Sequence, residues 1–314
     1  MKTIKQAVRT LLVFMLIFCN VGVYAQRKEV SDFNDSVEIC PLADKELIDS
    51  CYNLLDRNMM LETEGVYGQI AVIDATTSEV LAWASLEKQL DGDCGWCGDM
   101  VYVPFKKQVC STDIFVPFIA AKCLEVSNTS LGKMVDTGCG ILEVNDSLKI
   151  RDHNWRRGGY GKVTFEKALL MKSRIGMYKA FMTMPNGTDL WEQAYGTIQK
   201  SNAIELAISF NQMYHQRSSL EYVKEIATGI FEKTGIQHRL APRGIKLAGI
   251  YNILQCDDNK RSSDEFTFVG CFPADNPKYT IGMVVVRPHK LPVTIGMLSK
   301  EVNLLIEWLM NRKK

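Results

Sequence analysis

The sequence predicts an α/β (α+β) protein in which paired antiparallel strands pack against helices. Short runs rich in β-forming residues occur in pairs near both ends of the chain, at 68–85 and 266–286, and a turn-forming segment separates the members of each pair. Apolar residues recur at helical spacing in other segments, including 43–60 and 296–310. Strand pairs combined with amphipathic helices are typical of a sheet covered by helices.

Composition is typical of a globular protein. The chain has 314 residues, of which 46% are hydrophobic, with 9 Pro and 22 Gly. This length suits one large domain or two small ones, with a sizeable buried core. The net charge is +1, so no overall field attracts nucleic acid or an anionic membrane. We therefore expect no nucleic-acid partner.

The N-terminus has the pattern of an export signal. Basic side chains precede an apolar run, Leu11–Val23, and Ala25 provides a small residue at a plausible cleavage point; the basic residues are Lys2, Lys5 and Arg9. The apolar run is shorter than the ~20 residues that span a bilayer, which favours a cleaved signal peptide at 1–25 over an uncleaved anchor. We expect an exported protein that is periplasmic, or anchored in the inner membrane and facing the periplasm if cleavage does not occur.

Ten cysteines, nine of them after the predicted signal, fit an oxidising compartment in which some pair as disulfides. The odd number predicts at least one unpaired thiol. Cys94 and Cys97 have the spacing of a redox dithiol, but they lie in a loop rich in Gly and Asp, which favours a structural role. With four scattered His residues, the sequence predicts neither a zinc site nor a cofactor.

Residues 26–64 are predicted to be a polar segment followed by a first helix, and 65–314 the main domain. The helical spacing covers Ala43–Met60, and Asp44 is available to cap its start. A second helix is predicted over Phe115–Val126, with Pro117 tolerated in its first turn. Just before it, Asp113 is predicted to cap the helix through its carboxylate.

Several segments resemble the transpeptidase domain of class B penicillin-binding proteins. The run 113–118, DIFVPF, resembles Ser-Thr-Phe-Lys-Pro-Phe at the head of that family's central helix. Residues 161–169 keep the family's G-x-L-T pattern, with Thr164 as the predicted cap, and 266–288 match its last hairpin closely. The resemblance runs from about Gly65 to Pro288. It implies a five-stranded antiparallel sheet flanked by helices, with a trimmed all-helical subdomain.

The reactive residues of that family are replaced at all three motifs. Asp113 and Val116 stand at the positions of the nucleophilic Ser and its activating Lys. Lys172 and Arg174 stand at the positions of the Ser and Asn of Ser-x-Asn. The segment Ile250-Tyr251-Asn252 takes the place of Lys-Thr-Gly. A carboxylate is a poor acyl acceptor and valine has no proton to transfer, so the resemblance implies a vacated catalytic site.

Matches to the same short motifs also occur elsewhere in the chain. These matches are Ser85/Lys88, Ser130/Lys133, Ser209-Phe210-Asn211 and Lys233-Thr234-Gly235. Their predicted settings are a strand end, a position after the central helix, a helix interior and a turn, so none has the setting that the chemistry needs.

We therefore expect an exported, catalytically inactive transpeptidase-like domain that binds peptidoglycan stem peptide or a protein of cell-wall synthesis. The candidate substrate-binding residues are Asp113, Lys172, Arg174 and Tyr251. A basic lining for an acidic ligand is also predicted; its residues are Arg151, His153, Arg156, Arg157 and Arg174.

The alternative is an active D,D-transpeptidase, carboxypeptidase or β-lactamase that uses another nucleophile, with Cys110 or Ser111 nearest in sequence. A redox protein that uses Cys94 and Cys97 is a third possibility.

Overall fold

A computed structural model describes residues 44–59, 63–89, 100–103, 108–110, 113–146, 148–196, 200–215, 221–258, 261–288 and 295–312. The predicted signal peptide, the polar stretch 26–38 and the Cys94/Cys97 pair lie outside the described residues.

An antiparallel sheet organises the described part of the chain. Its strands are β1 (Tyr67–Asp74), β2 (Val80–Lys88), β3 (Met100–Tyr102), β10 (Ala248–Asp258), β11 (Arg261–Phe272) and β12 (Tyr279–Pro288), in the order β10-β11-β12-β1-β2-β3. The five long strands confirm the predicted sheet, and β3 adds a short sixth strand at its edge. In the centre β1 pairs with β12, from Tyr67 opposite Val286 to Asp74 opposite Tyr279.

Three short two-stranded sheets are separate from this main sheet in the described part of the chain. They pair β4 (Val109–Cys110) with β9 (Lys200–Ser201), β5 (Met134–Asp136) with β8 (Lys162–Thr164), and β6 (Ile141–Glu143) with β7 (Lys149–Arg151). The described helices are α1 (Lys45–Arg57), α2 (Val116–Val126), α3 (Phe165–Leu170), α4 (Arg174–Phe181), α5 (Gly187–Trp191), α6 (Ala203–His215), α7 (Glu221–Gly229) and α8 (Gly296–Asn311).

The helix boundaries follow local sequence signals. Asp44 caps α1 by accepting a hydrogen bond from the Leu47 N–H at 3.1 Å, as predicted. Thr164 caps α3 by accepting from the Lys167 N–H at 3.1 Å, also as predicted. The predicted apolar face of α8 is buried; its residues are Leu298, Val302, Leu305, Ile306 and Leu309. Within the described ranges, no helix combines the length and apolar character that a membrane span requires.

Four cysteines are described as free thiols, and three of them are buried. Cys51, Cys123 and Cys271 are buried and free, and burial raises the pKa of each thiol. Cys139 is free and exposed. These thiols agree with the prediction of at least one unpaired cysteine, and their protonated state makes the three buried ones poor nucleophiles.

Helix α6 is fixed to the sheet through Asn211. The Asn211 amide nitrogen donates to the Ala75 carbonyl at 3.0 Å and to the Ser78 hydroxyl at 2.8 Å. Its amide oxygen accepts from the Thr280 hydroxyl at 2.9 Å. Ser78 has a φ of 63°, a left-handed conformation in the β1–β2 turn. One side chain on the helix therefore connects the β1–β2 turn to the start of β12.

Replacing Asn211 is expected to destabilise the fold. The substitution Asn211→Ala removes these bonds and leaves buried partners unsatisfied, so the free energy of unfolding should fall by about 2–3 kcal/mol. Urea denaturation followed by far-UV circular dichroism measures this change. The control is Ser209→Ala on the same helix, which should change stability by less than about 0.5 kcal/mol. Equal effects of the two substitutions would contradict the role given to Asn211.

Candidate functional site

The three replaced motifs come together at the head of α2. Asp113 precedes α2, Lys172 and Arg174 lie at the junction of α3 and α4, and Asn252 lies on β10. Arg174 Nη2 is 2.8 Å from Asp113 Oδ2, and Lys172 Nζ is 2.8 Å from Asn252 Oδ1. The sheet edge and the helical region therefore meet at one cluster of charged side chains.

Asp113 does not cap α2, and the prediction that it does is wrong. The N-cap residue is Phe115, which makes no side-chain capping bond. Asp113 instead has a φ of 75°, and its mostly buried carboxylate accepts a hydrogen bond from Arg174. Burial raises the pKa of the Asp113 carboxyl, and the positive charges of Arg174 and Lys172 oppose this rise. The local capping rule failed because a distant arginine binds the carboxylate.

Val116, at the position of the activating lysine, is 2% exposed. Its side chain has no group that transfers a proton, and it forms part of the hydrophobic core. The head of α2 therefore has neither a hydroxyl at Asp113 nor an amine at Val116.

Lys172 is the amine of the cluster. Its φ of 53° is left-handed, and its Nζ donates to Asn252 Oδ1 at 2.8 Å and to the Tyr251 carbonyl at 3.3 Å. Burial lowers the pKa of Lys172 to about 8, with the Asp113 charge opposing the fall and the Arg174 charge adding to it. Both acceptors are neutral, so they offer little compensation for a desolvated ammonium.

The Tyr251 side chain points into the core, which corrects its prediction as a substrate-binding residue. Ile250 and Tyr251 are fully buried, and the Tyr251 ring centroid is 4.4 Å from that of Phe268. Only the Tyr251 backbone faces the cluster. Its N–H donates to Gln237 Oε1 at 2.8 Å, and its carbonyl accepts from Gln237 Nε2 at 2.7 Å. No sequence pattern indicates this pairing, because Gln237 lies in a turn well before β10.

Tyr195 is a further member that the motifs did not indicate. The Arg174 guanidinium lies over the Tyr195 ring, with 5.1 Å between the guanidinium carbon and the ring centroid. Burial raises the pKa of the Tyr195 hydroxyl well above its ordinary value. Tyr195 belongs to a π-helical turn, Glu192–Gly196, which directly follows α5. The aromatic face and the Asp113 carboxylate together hold the half-exposed Arg174 in place.

Ser173 has a structural role that the resemblance to the family did not predict. It is fully buried and caps α4 by accepting from the Gly176 N–H at 3.0 Å. Its hydroxyl donates to Asp152 Oδ2 at 2.8 Å, and Asp152 Oδ1 accepts from the Ile175 N–H at 3.1 Å. The buried Asp152 therefore satisfies the start of α4 and fixes the positions of Lys172 and Arg174 on either side of Ser173.

The predicted basic lining is divided in the structure. Arg174 lies within the cluster, while the guanidinium carbons of Arg151 and Arg156 lie 5.3 and 5.2 Å from the centroid of the Trp155 ring. His153 Nε2 is 2.8 Å from the Tyr160 hydroxyl. Burial lowers the pKa of His153, and Lys172 and Arg157 lower it further, while Asp152 opposes the change. The charges of the cluster and of the arginines therefore both act on His153.

Three of the other motif matches have the settings expected from the sequence: Ser130 follows α2, Ser209 lies inside α6, and Lys233-Thr234-Gly235 lies in a turn region. Ser85 lies inside β2, which continues to Lys88, so the predicted strand end at Ser85 is wrong. Cys110 is the last residue of β4, and Ser111 lies outside the described residues. Among the residues that the structure describes, no group of three or more His, Cys, Asp or Glu side chains is placed to hold a metal ion.

Comparison with known proteins identifies the fold. No protein-family model and no curated protein sequence matches the chain. A peptidoglycan glycosyltransferase from Burkholderia ambifaria has a TM-score of 0.65 at 17% identity, over 87% of this chain and 98% of that one. The TP domain of Burkholderia pseudomallei penicillin-binding protein 3 has a TM-score of 0.65 at 18% identity, over 87% and 95%. Penicillin-binding protein 2B from Streptococcus pneumoniae strain R6 has a TM-score of 0.66 at 10% identity, over 87% and 60%.

The chain therefore has the α/β fold of the transpeptidase domains of penicillin-binding proteins, as the resemblance implied. At identities of 10–18% the structural similarity shows the fold alone, and the chemistry depends on this chain's own residues.

Ser173→Ala is expected to lower the free energy of unfolding by about 1–2 kcal/mol, because it removes the cap of α4 and a partner of the buried Asp152 carboxylate. Urea denaturation checks this value. The control is Ser50→Ala, whose hydroxyl bonds only to the Glu46 carbonyl within its own helix. A Ser173 effect no larger than the Ser50 effect would contradict the capping role.

Lys172 is expected to make stability depend on pH. Its folded pKa of about 8 lies below the ~10.4 of an unfolded lysine, so between these values the unfolded chain binds more protons. The free energy of unfolding should therefore rise with pH across this window, relative to Lys172→Met. Urea denaturation at a series of pH values measures the difference, and Lys162→Met, at an exposed lysine, controls for net charge. A difference that is flat or falls with pH would contradict a depressed pKa.

Proposed function

We propose that this protein is an exported transpeptidase-like domain that does not catalyse acyl transfer and acts by binding or scaffolding in peptidoglycan and cell-wall processes. The observation that carries the proposal is the Asp113–Arg174 ion pair at the head of α2, with Val116 buried one helical turn away. A carboxylate paired with a guanidinium occupies the position from which a nucleophilic hydroxyl would have to attack.

The chemistry of these groups supports the loss of acyl transfer. Attack by the Asp113 carboxylate on an acyl carbon would give an anhydride, which water hydrolyses readily and which does not persist as a stable acyl-enzyme. Lys172 has the lowered pKa of a general base. However, within the described ranges its Nζ donates only to the Tyr251 carbonyl and the Asn252 amide oxygen, and no hydroxyl or thiol is hydrogen-bonded to it. A base without a nucleophile does not form an ester.

A binding role is supported by what remains at the cluster. Asp113, Arg174 and Lys172 supply polar groups of both signs around the head of α2, and Arg174 is half-exposed. Such groups suit a polar ligand, and peptidoglycan stem peptide or a protein of cell-wall synthesis is the partner that the fold suggests. The export part of the proposal rests on the N-terminal signal pattern of residues 1–25.

The proposal predicts that a fluorescent penicillin does not label the purified protein covalently. The protein is incubated at about pH 8, where a pKa of about 8 makes a large share of Lys172 neutral, and is then analysed by denaturing electrophoresis beside an active penicillin-binding protein. The expected result is no fluorescent band from this chain.

A band that disappears in Ser111→Ala or Cys110→Ala would establish the alternative, an active acyl enzyme with another nucleophile. A band that survives both substitutions but disappears in Lys172→Met would instead identify an amide on the lysine. Both outcomes would overturn the non-catalytic proposal.

Sedimentation with purified cell-wall sacculi tests the binding role separately. The wild type should pellet with the sacculi, and Arg174→Gln should pellet less than the control Arg243→Gln. Equal sedimentation of all three would place binding away from the cluster.

A further inference from the structure

Three arginines concentrate positive charge beside the candidate site. We name Arg151, Arg156 and Arg157 the arginine patch; all three side chains are exposed. Arg151 ends β7, and the other two belong to the short 3-10 helix Trp155–Arg157. The guanidinium carbons of Arg151 and Arg156 lie 5.3 and 5.2 Å from the centroid of the Trp155 ring. Contact with one indole therefore brings two like charges close together.

This positive charge is not neutralised by the described part of the chain. No described carboxylate lies within 4.0 Å of a guanidinium nitrogen of the patch. The adjacent acid, Asp152, is 1% exposed and bonds to Ser173 and Ile175. On the neighbouring strands, Glu143 is paired with Lys149. The arginines therefore repel one another, and an anionic partner would relieve that repulsion.

The backbone below the patch is fixed. Asp152 N–H donates to the Gly140 carbonyl at 3.0 Å, and Trp155 N–H donates to the Asp152 carbonyl at 3.1 Å. Gly158 ends the short helix at a φ of 91°. Gly159 packs so closely on the loop at Gly140 that a Cβ there would lie 2.3 Å from the Gly140 nitrogen. A partner therefore meets a preformed surface, which lowers the entropy cost of binding.

The patch is next to the cluster at the head of α2. Asp152, between Arg151 and His153, accepts a hydrogen bond at 2.8 Å from Ser173, which lies between Lys172 and Arg174. The arginine patch therefore extends the positive charge of Lys172 and Arg174 along the same part of the surface. A chain of several carboxylates matches this extended charge better than a single small anion does.

We propose that the arginine patch is a docking surface for an acidic segment of a partner protein, a refinement that rests on the proposed binding role. Guanidinium groups bind carboxylates through paired hydrogen bonds, which suits glutamate- or aspartate-rich chains. A protein partner fits better than a membrane surface, because Trp155 is only partly exposed and its ring is already covered by two guanidiniums. The large apolar side chains that the described residues expose, Met134 and Leu304, lie on other elements.

The experiment measures fluorescence anisotropy of a fluorescein-labelled polyglutamate peptide titrated with the whole protein. The wild type should bind the peptide, and higher ionic strength should weaken the binding. The triple substitution R151Q/R156Q/R157Q should weaken it by about tenfold or more, because loss of each exposed charge contact removes a modest amount of free energy. The control R243Q removes an exposed arginine from the turn before β10 and should leave binding unchanged. Circular dichroism of each variant confirms folding.

Three results would overturn the docking surface: no binding by the wild type, equal weakening by R243Q and the triple variant, or stronger patch-dependent binding to phosphatidylglycerol vesicles than to the peptide. The substitution R151K/R156K/R157K separates charge from geometry, since paired guanidinium contacts predict weaker binding than the wild type even with the charge kept. Binding as tight as that of the wild type would contradict those paired contacts. Penicillin labelling is independent of the patch. A labelled protein that still binds polyglutamate would refute only the non-catalytic proposal, and an unlabelled protein that does not bind would refute only the docking surface.

Discussion

The antiparallel pairing of β1 with β12 is the constraint on which the rest of the structure depends. It joins the first hairpin to the last across more than two hundred residues of sequence, and the ordering entropy of that long closure is offset by a strand ladder buried between helices. The pairing places β10 at one edge of the sheet, where Asn252 meets Lys172 from the helical region. Helix α6 lies so close to the sheet that a Cβ on Gly282 would be 2.1 Å from the Ala203 carbonyl oxygen.

Within that frame the candidate site is held together by charge pairing and hydrogen bonds. The Asp113–Arg174 pair has one mostly buried and one half-exposed partner, so its net contribution to folding is modest, about 1 kcal/mol or less. Its main effect is positional. Arg174 is fixed between a carboxylate and the Tyr195 ring, and Lys172 is directed to β10. The Asp152–Ser173 contact below them sets the start of α4 and hence the directions of both cations.

Local signals predicted most of the architecture. The two hairpins, the Asp44 and Thr164 caps and the apolar face of α8 follow from period, turn chemistry and capping, each of which acts over a few residues. The site was predictable only as a set of positions, through the resemblance to a known family. Its contacts join residues that are far apart in sequence: Gln237 with Tyr251, Tyr195 with Arg174, Asp152 with Ser173. Asp113 shows the limit most clearly, because a residue with good capping chemistry bonds instead to a side chain sixty-one positions away.

The left-handed backbone at Asp113 and Lys172 has a thermodynamic consequence for substitution at the site. A side chain with a Cβ costs roughly 1–2 kcal/mol in that conformation, a penalty that glycine avoids. Glycine at either place would relieve that strain, but it would also remove the carboxylate that binds Arg174 or the amine that reaches Asn252. Backbone stability and charge pairing therefore oppose each other at these two positions.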